Sequence, residues 1–345
     1  MVTVSSTYVV VDPTQVAGTY AYHRLARTRP GWWRPLLVGL VAGGLYLAAL
    51  AAAAAVAGVV ALVAGPGALE TLAGLDLLDM RDPTSFALAM LTIVLMLPAV
   101  VVATRLLGAR PVGLLASVAG RVRWGWAGRC LGLAAAVALV VQGLDLVVAE
   151  AAGTPWEPRV DERTVPLLVL VVLLVPAQCV AEEVLFRGYL VQAVGTWLRH
   201  PAFAVVLPVP LFVVGHAYVG LAMVDIAVWA LAMGWLVWRT GGLEAASAAH
   251  VVNNTLVFTL GSVDLADLEL VDIAPDALAI STLSTLVYVG LVELQVRRTR
   301  PARVRVVHAP APVPVTWAAG GPAPAWRDVR DAAPHDAWGT PSPPS

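Results

Sequence analysis

The sequence predicts an all-α polytopic membrane protein with about eight transmembrane helices, both termini inside, and a disordered C-terminal tail. Three observations predict it. Only 13% of the 345 residues are charged while 59% are hydrophobic, against roughly a quarter charged and a half apolar in an average soluble domain. Mean hydropathy is +0.79, the value expected when apolar runs long enough to cross a bilayer recur along the chain. The charges between those runs also sort by sign from one connection to the next.

The elements follow in order. Residues 1–35 are mixed and polar and are expected to form a cytoplasmic segment with no early apolar region of the kind a cleaved signal peptide carries. The first run therefore reads as a signal anchor. Apolar stretches fall at about 36–64, 85–107, 129–149, 164–181, 201–221, 222–238, 243–262 and 277–296. The fifth and sixth are nearly continuous, and Gly220 between them permits the tight reversal that keeps each to one crossing. Residues 36–163 make an N-terminal transmembrane region, 164–262 a core, and 263–299 the last loop and span. Residues 300–345 turn to Pro, Ala and isolated charges, a composition with little to bury, and read as a disordered cytoplasmic tail. No repeat of fixed period occurs, and Gly39 with Gly43 is a weak small-residue pair.

One set of connections carries Arg24, Arg27, Arg29 and Arg34, then Arg105, Arg110, Arg121, Arg123 and Arg129, then Arg199, Arg239 and the group from Arg297 to Arg305. The positive-inside rule makes that side cytoplasmic. The other set is acidic, from Glu70 to Asp82, Glu150 to Glu162 and Asp264 to Asp276, with only Arg81, Arg159 and Arg163 among them. Trp32, Trp33, Trp124, Trp126, Trp156, Trp197 and Trp238 lie near span ends, where an indole is favoured at headgroup depth. A multi-pass protein of a bacterial cytoplasmic membrane is the expectation, since all 22 basic residues are Arg beside abundant Ala and Val, as a GC-rich genome gives. Net charge is -1, which supplies no basic field for nucleic acid. Cys130 and Cys179 both fall in apolar runs, so neither a disulfide framework nor a thiolate zinc site is expected.

Polar groups inside spans carry the functional information, because an ionisable side chain at membrane depth costs at least about 2.5–3.5 kcal/mol. Four stand out: Glu182-Glu183-Val-Leu-Phe-Arg187, Phe212-Val-Val-Gly-His216, His250-Val-Val-Asn253-Asn254, and the solitary Asp145. On a helix, Glu183 stacks over Arg187 in the favourable orientation for an ion pair. Glu182 is rotated about 100° away and stays available as a base. His250 and Asn254 project to one side of their helix. Asp145, Asp225 and Glu293 read as packing or loop charges and Glu244 as a helix-start acid. The inventory of one free carboxylate, two imidazoles and an amide suits hydrolysis. Two His and a Glu could equally hold a divalent metal that makes hydroxide, and a proton relay would use similar residues.

The ordered set resembles the CPBP family of intramembrane endopeptidases, whose pattern is EExxxR, then FxxxH, then HxxxN or HxxxD. Glu182 to Arg187, Phe212 with His216, and His250 with Asn254 match it in order over about 73 residues. The resemblance implies a protease acting on a membrane-associated protein or peptide, with Glu182 as general base and His216 activating water. His250 and Asn254 would stabilise the oxyanion, and Glu183 with Arg187 would order the site. A metal such as zinc, held by Glu182, His216 and His250, is the other implied arrangement. The rival reading is a non-proteolytic partner-binding or bacteriocin-immunity protein. The family name is not read as a substrate, since a bacterial source argues against prenylated CAAX proteins. One tension concerns depth: His216 lies 15 residues past Pro201 and His250 only 7 past Leu243, rises of about 22 and 10 Å. The two His match in height if residues 188–200 extend the fourth helix out of the bilayer.

Overall fold

The computed structural model describes residues 8–11, 16–76, 78–108, 110–216 and 218–308; of the expected tail, residues 309–345 lie outside the described residues. Helices dominate, and their ends follow from the sequence. Helix α1 (Arg34–Ala64) starts beside Pro35 and stops at Gly65, whose φ of 106° leaves the helical region before α2 (Pro66–Ala73). Asp82 caps α3 (Pro83–Val94) by accepting from the Ser85 amide at 2.8 Å. Pro98 lacks the N–H that would reach Val94, and the helix breaks at Leu95 before α4 (Met96–Leu107).

After α5 (Trp124–Ala151) comes α6 (Thr164–Glu182), which runs through a π-helical segment, Glu183–Leu190, into α7 (Val191–Trp197). Together they form one apolar rod, Thr164–Trp197. This is the long fourth helix that the depth argument required. Pro208 and Pro210 divide the next stretch into α8 (Pro201–Val206) and α9 (Val209–Val214). The chain then forms α10 (Gly220–Thr240), α11 (Glu244–Gly261) and α12 (Pro275–Thr299).

The long rod is the inner element, with 39% of its apolar window buried against 6% for α1 and for α5. Helix α11 packs on α5, α6 and α10, α1 packs on α4, and α3 packs on α6. The outer helices leave Leu, Val and Ala side chains exposed, as lipid requires and water would penalise.

Six helices among the described residues are long and apolar enough to cross a membrane, not eight. The two expected spans outside that set are helical. Pro201–Val214 is short and broken by its prolines, and α11 dilutes its apolar run with Glu244, Ser247, His250, Asn253 and Asn254. Both carry or lead to polar motifs, so the residues that matter chemically are those that lower the hydropathy.

Two faces can be told apart by their contacts. On one, the Arg123 guanidinium grips Glu244 at 2.8 and 2.7 Å and donates to the Thr240 and Ala302 carbonyls. His23 lies 3.0 Å from the Arg199 carbonyl, and Trp197 donates to the Trp32 carbonyl on the same face. On the other, Arg81 and Arg159 both pair with Asp264, and Val219 bonds to Val271. These groups correspond to the Arg-rich and acidic connections of the sequence. Two of the three arginines on the acidic side thus share one carboxylate there.

The N-terminal segment and the start of the tail hold structure that was not expected. Strands β1 (Tyr8–Val11), β2 (Gly18–Ala21) and β3 (Val304–His308) form a sheet in the order β1-β3-β2, with β3 parallel to β1 and antiparallel to β2. A disordered tail from residue 300 is therefore corrected: order continues to His308. The valines at 304, 306 and 307 provide β-propensity, and Arg305 is buried and bonded to the Val118 carbonyl at 3.3 Å. Both ends of the helical bundle consequently lie on one face.

A 3₁₀ turn, Tyr22–Thr28, locks that face to α7, where a β-carbon built on Gly195 would overlap the His23 carbonyl. Gly195→Ala is expected to destabilise by about 1–3 kcal/mol through overpacking, read as a lower melting temperature in detergent. Burial also holds the His23 imidazole below its ordinary 6.5. The native state keeps it neutral while the unfolded chain binds its proton below about pH 6.5, so its contribution is complete above that value and is lost as pH falls through the lowered one. Melting temperature should fall on acidification from pH 7 to 5.5, and less steeply in His23→Gln.

Candidate active site

The two adjacent glutamates at the end of α6 take different duties. Glu183 is fully buried, and its Oε1 accepts from Arg187 Nη1 at 2.9 Å, the i,i+4 pair the sequence anticipates. The same oxygen lies 3.0 Å from His250 Nδ1 on α11. Glu182 does not share the guanidinium. Its Oε2 stands 3.5 Å from His250 Nε2 and has no hydrogen-bond partner although buried. One imidazole thus bridges two neighbouring carboxylates, one nitrogen to each. A neutral ring can donate to only one of them, whereas an imidazolium satisfies both.

This segment is π-helical, from Glu183 to Leu190. The i→i+5 pattern widens the turn, and such segments are concentrated at functional sites. The backbone sequence alone gives no sign of it.

Aromatic rings close the site. Arg187 Cζ lies 4.1 Å from the Phe212 ring centre and 5.0 Å from that of Trp229. These faces attract the cation where one guanidinium nitrogen, Nη2, lacks a hydrogen bond. Phe212 also meets Phe186 edge-on at 5.0 Å and stacks with Trp229 at 5.7 Å. His216 has its ring centre 4.5 Å from Phe212, and His250 lies 6.5 Å from Phe212 on its other approach. Both the Phe and the His of the FxxxH motif thus pack into this aromatic cluster.

His216 Nδ1 is spent on the Phe212 carbonyl at 2.7 Å, which fixes the ring and leaves Nε2 for other partners. Glu182 is among the charges that act on it. Asn254 is one turn from His250, but its amide donates to Gln178 Oε1 at 3.4 Å, and Asn253 donates to Asn254 at 3.2 Å. Gln178 is buried one turn before Glu182. Gln178 and Trp229 are site residues that motif reading misses; the cue for Gln178 was an amide in an apolar run, and Trp229 had none.

Glu182, Glu183, Arg187 and His250 are thus in direct contact, Phe212 joins them to His216, and Gln178 joins them to Asn254. A narrow cleft beside Arg187, lined by Phe186, Pro208, Phe212 and Gly234, holds about 10 Å³, near the room one water needs. Glu182 is 7% exposed and His250 3%. The rings of Phe186, Phe212 and Trp229 pack around Arg187 and His250 here. For the expected metal, no group of three or more His, Cys, Asp or Glu among the described residues is arranged to hold an ion. His250 and His216 each engage Nδ1, with Glu183 and with the Phe212 carbonyl, and each keeps Nε2 as the nitrogen through which it would meet a metal.

The remaining membrane charges have partners. Glu293 pairs with Arg239 at 2.7 Å and with Arg297 at 3.1 Å, and Asp145 accepts from Gln142 at 3.3 Å. Glu244 is the acid gripped by Arg123.

Residues 164–256 match the family model described as type II CAAX prenyl endopeptidase Rce1-like. The uncharacterized protein YyaK of Bacillus subtilis (strain 168) is 35% identical over 125 residues, covering 34% of this chain and 41% of that protein. The chain thus spans less than half the length of that relative. No solved structure matches. The chain is a multi-pass membrane protein, and the segment holding Glu182, Glu183, Arg187, His216, His250 and Asn254 is the segment that matches the Rce1-like endopeptidase family, as the order of its motifs implied.

Proposed function

We propose that the chain is an intramembrane endopeptidase of a bacterial cytoplasmic membrane, hydrolysing a peptide bond of a membrane-associated protein or peptide. The observation that carries this reading is the division of labour between the glutamates: Glu183 Oε1 is committed to Arg187 and His250, while Glu182 has no arginine partner and its Oε2, like Glu183 Oε2, is buried without a hydrogen bond. An unbonded buried carboxylate is costly unless something else comes to meet it. Water is the simplest visitor.

Glu182 takes a proton from that water, oriented by His216, and the hydroxide adds to the scissile carbonyl carbon. His250 and Asn254 donate toward the oxyanion that forms. The proton then passes to the amide nitrogen, and the C–N bond breaks to give a carboxylic acid and an amine. Glu183 and Arg187 are positioning residues that hold His250 and the π-helical turn.

The test uses the purified full chain in detergent with a library of membrane-anchored peptides. Wild type is expected to cleave, His216→Ala to cleave far more slowly, and a chelator to leave the rate unchanged. Cleavage lost to chelator and restored by zinc would replace direct water activation with a metal hydroxide held by Glu182, His216 and His250. No cleavage beyond that of the variant would leave a non-proteolytic partner-binding protein as the better account.

A further inference from the structure

Outside that site, Arg110 is a cation with an unusual setting. It lies three residues past Leu107, where the Pro83–Leu107 apolar run ends. It is half-buried, and its Nη1 donates to Oε1 of the fully buried Gln192 on α7. Gln192 cannot turn away, because its Nε2 donates to the Leu114 carbonyl at 2.7 Å. The neighbouring hydroxyls of Tyr22 and Tyr189 are spent on the Leu115 and Pro35 carbonyls.

Arg110 forms no ion pair with any described residue, unlike Arg81, Arg123, Arg159, Arg187, Arg239 and Arg297. A guanidinium has five N–H donors, and one of them is used here. Burial pulls its pKa down to about 10, which still leaves it charged at neutral pH. A fixed planar cation with donors to spare is built for an oxyanion.

Its surroundings say which one. Arg34, at the start of α1, donates to the Leu107 carbonyl at 3.3 Å and lies 5.1 Å from the Trp33 ring centre. Trp32 and Trp33 are 68% and 45% exposed, as indoles at headgroup depth are. We propose that Arg110, oriented by Gln192 and flanked by Arg34, binds the phosphate of an anionic phospholipid headgroup where α1, α4 and α7 meet. Gln192 and Glu182 lie on one continuous rod, ten residues or about 15 Å apart. An occupied headgroup site would therefore brace the lower end of the element that carries the glutamates. The proposal does not depend on peptide hydrolysis.

The test measures lipid binding to the detergent-purified full chain by native mass spectrometry, with short-chain phosphatidylglycerol against phosphatidylcholine of the same chains. Phosphatidylglycerol should bind about ten-fold more tightly, Arg110→Gln should abolish that preference, and Arg298→Gln should keep it. An undiminished preference in Arg110→Gln, or an equal loss in Arg298→Gln, overturns the site. Inorganic phosphate that displaces the lipid at equal concentration would make the ligand a free anion and overturn the lipid assignment. In wild type, phosphatidylglycerol but not phosphatidylcholine should protect Arg110 from phenylglyoxal. Equal labelling overturns the proposal even if the Gln variant does not fold.

Discussion

Arg187→Ala is expected to lower stability by about 3–5 kcal/mol, the range for breaking one partner out of a buried ion pair. The substitution strands Glu183, which is fully buried and would retain only His250. It also strips the cation from between Phe212 and Trp229 and leaves a cavity where the side chain was. Replacing both partners, as in Glu183→Gln with Arg187→Met, removes the charges together and should recover a large part of the loss. Arg187→Lys keeps the charge but not the flat surface that stacks on two rings, and should fall between. Thermal and denaturant unfolding in detergent check the series. An Arg187→Ala protein that melts with the wild type would remove the structural role assigned to this pair.

Glu182→Gln is expected to behave in the opposite way. Turnover should drop by about 10²–10⁴, the usual contribution of a general base, while the fold is kept or slightly strengthened. The reason is that Glu182 makes no ion pair with an arginine and leaves one oxygen unbonded, so its neutralisation removes a buried charge without orphaning a cation. Glu183→Gln, in contrast, should impair stability and turnover together. Measuring both quantities on both variants separates the base from the positioning residue. If Glu182→Gln cleaves at the wild-type rate, Glu182 is not the base.

Local spacing made part of this site readable. Glu183 and Arg187 are four apart, and their contact follows from helix geometry alone. Gly220 takes a φ of 56° where α10 begins, a left-handed conformation that a glycine allows at a turn. The bridge from His250 to both glutamates was not readable, because it spans 67 residues and depends on how α11 lies against the rod. Nor could periodicity reveal the π-helical turn, which shifts facing without changing composition. Asn254 illustrates the limit from another side: its spacing from His250 was plain in the sequence, whereas its bond to Gln178 joins residues 76 apart. The strand Val304–His308 buries Arg305 and Val307 in alternation, a pattern its hydropathy does not show, and it sits beside residues that read as tail.

That strand has a further consequence for how the protein is made. Among the described residues, β1 and β2 do not pair with each other; each pairs with β3, which lies between them. Two strands therefore leave the ribosome nearly three hundred residues before the partner they share. They must wait with open edges until the last helix has been inserted and the chain has passed His308. Completion of this sheet is thus a mark that synthesis has cleared the whole helical bundle, and a chain truncated after Thr299 would keep every membrane helix yet never close its ends.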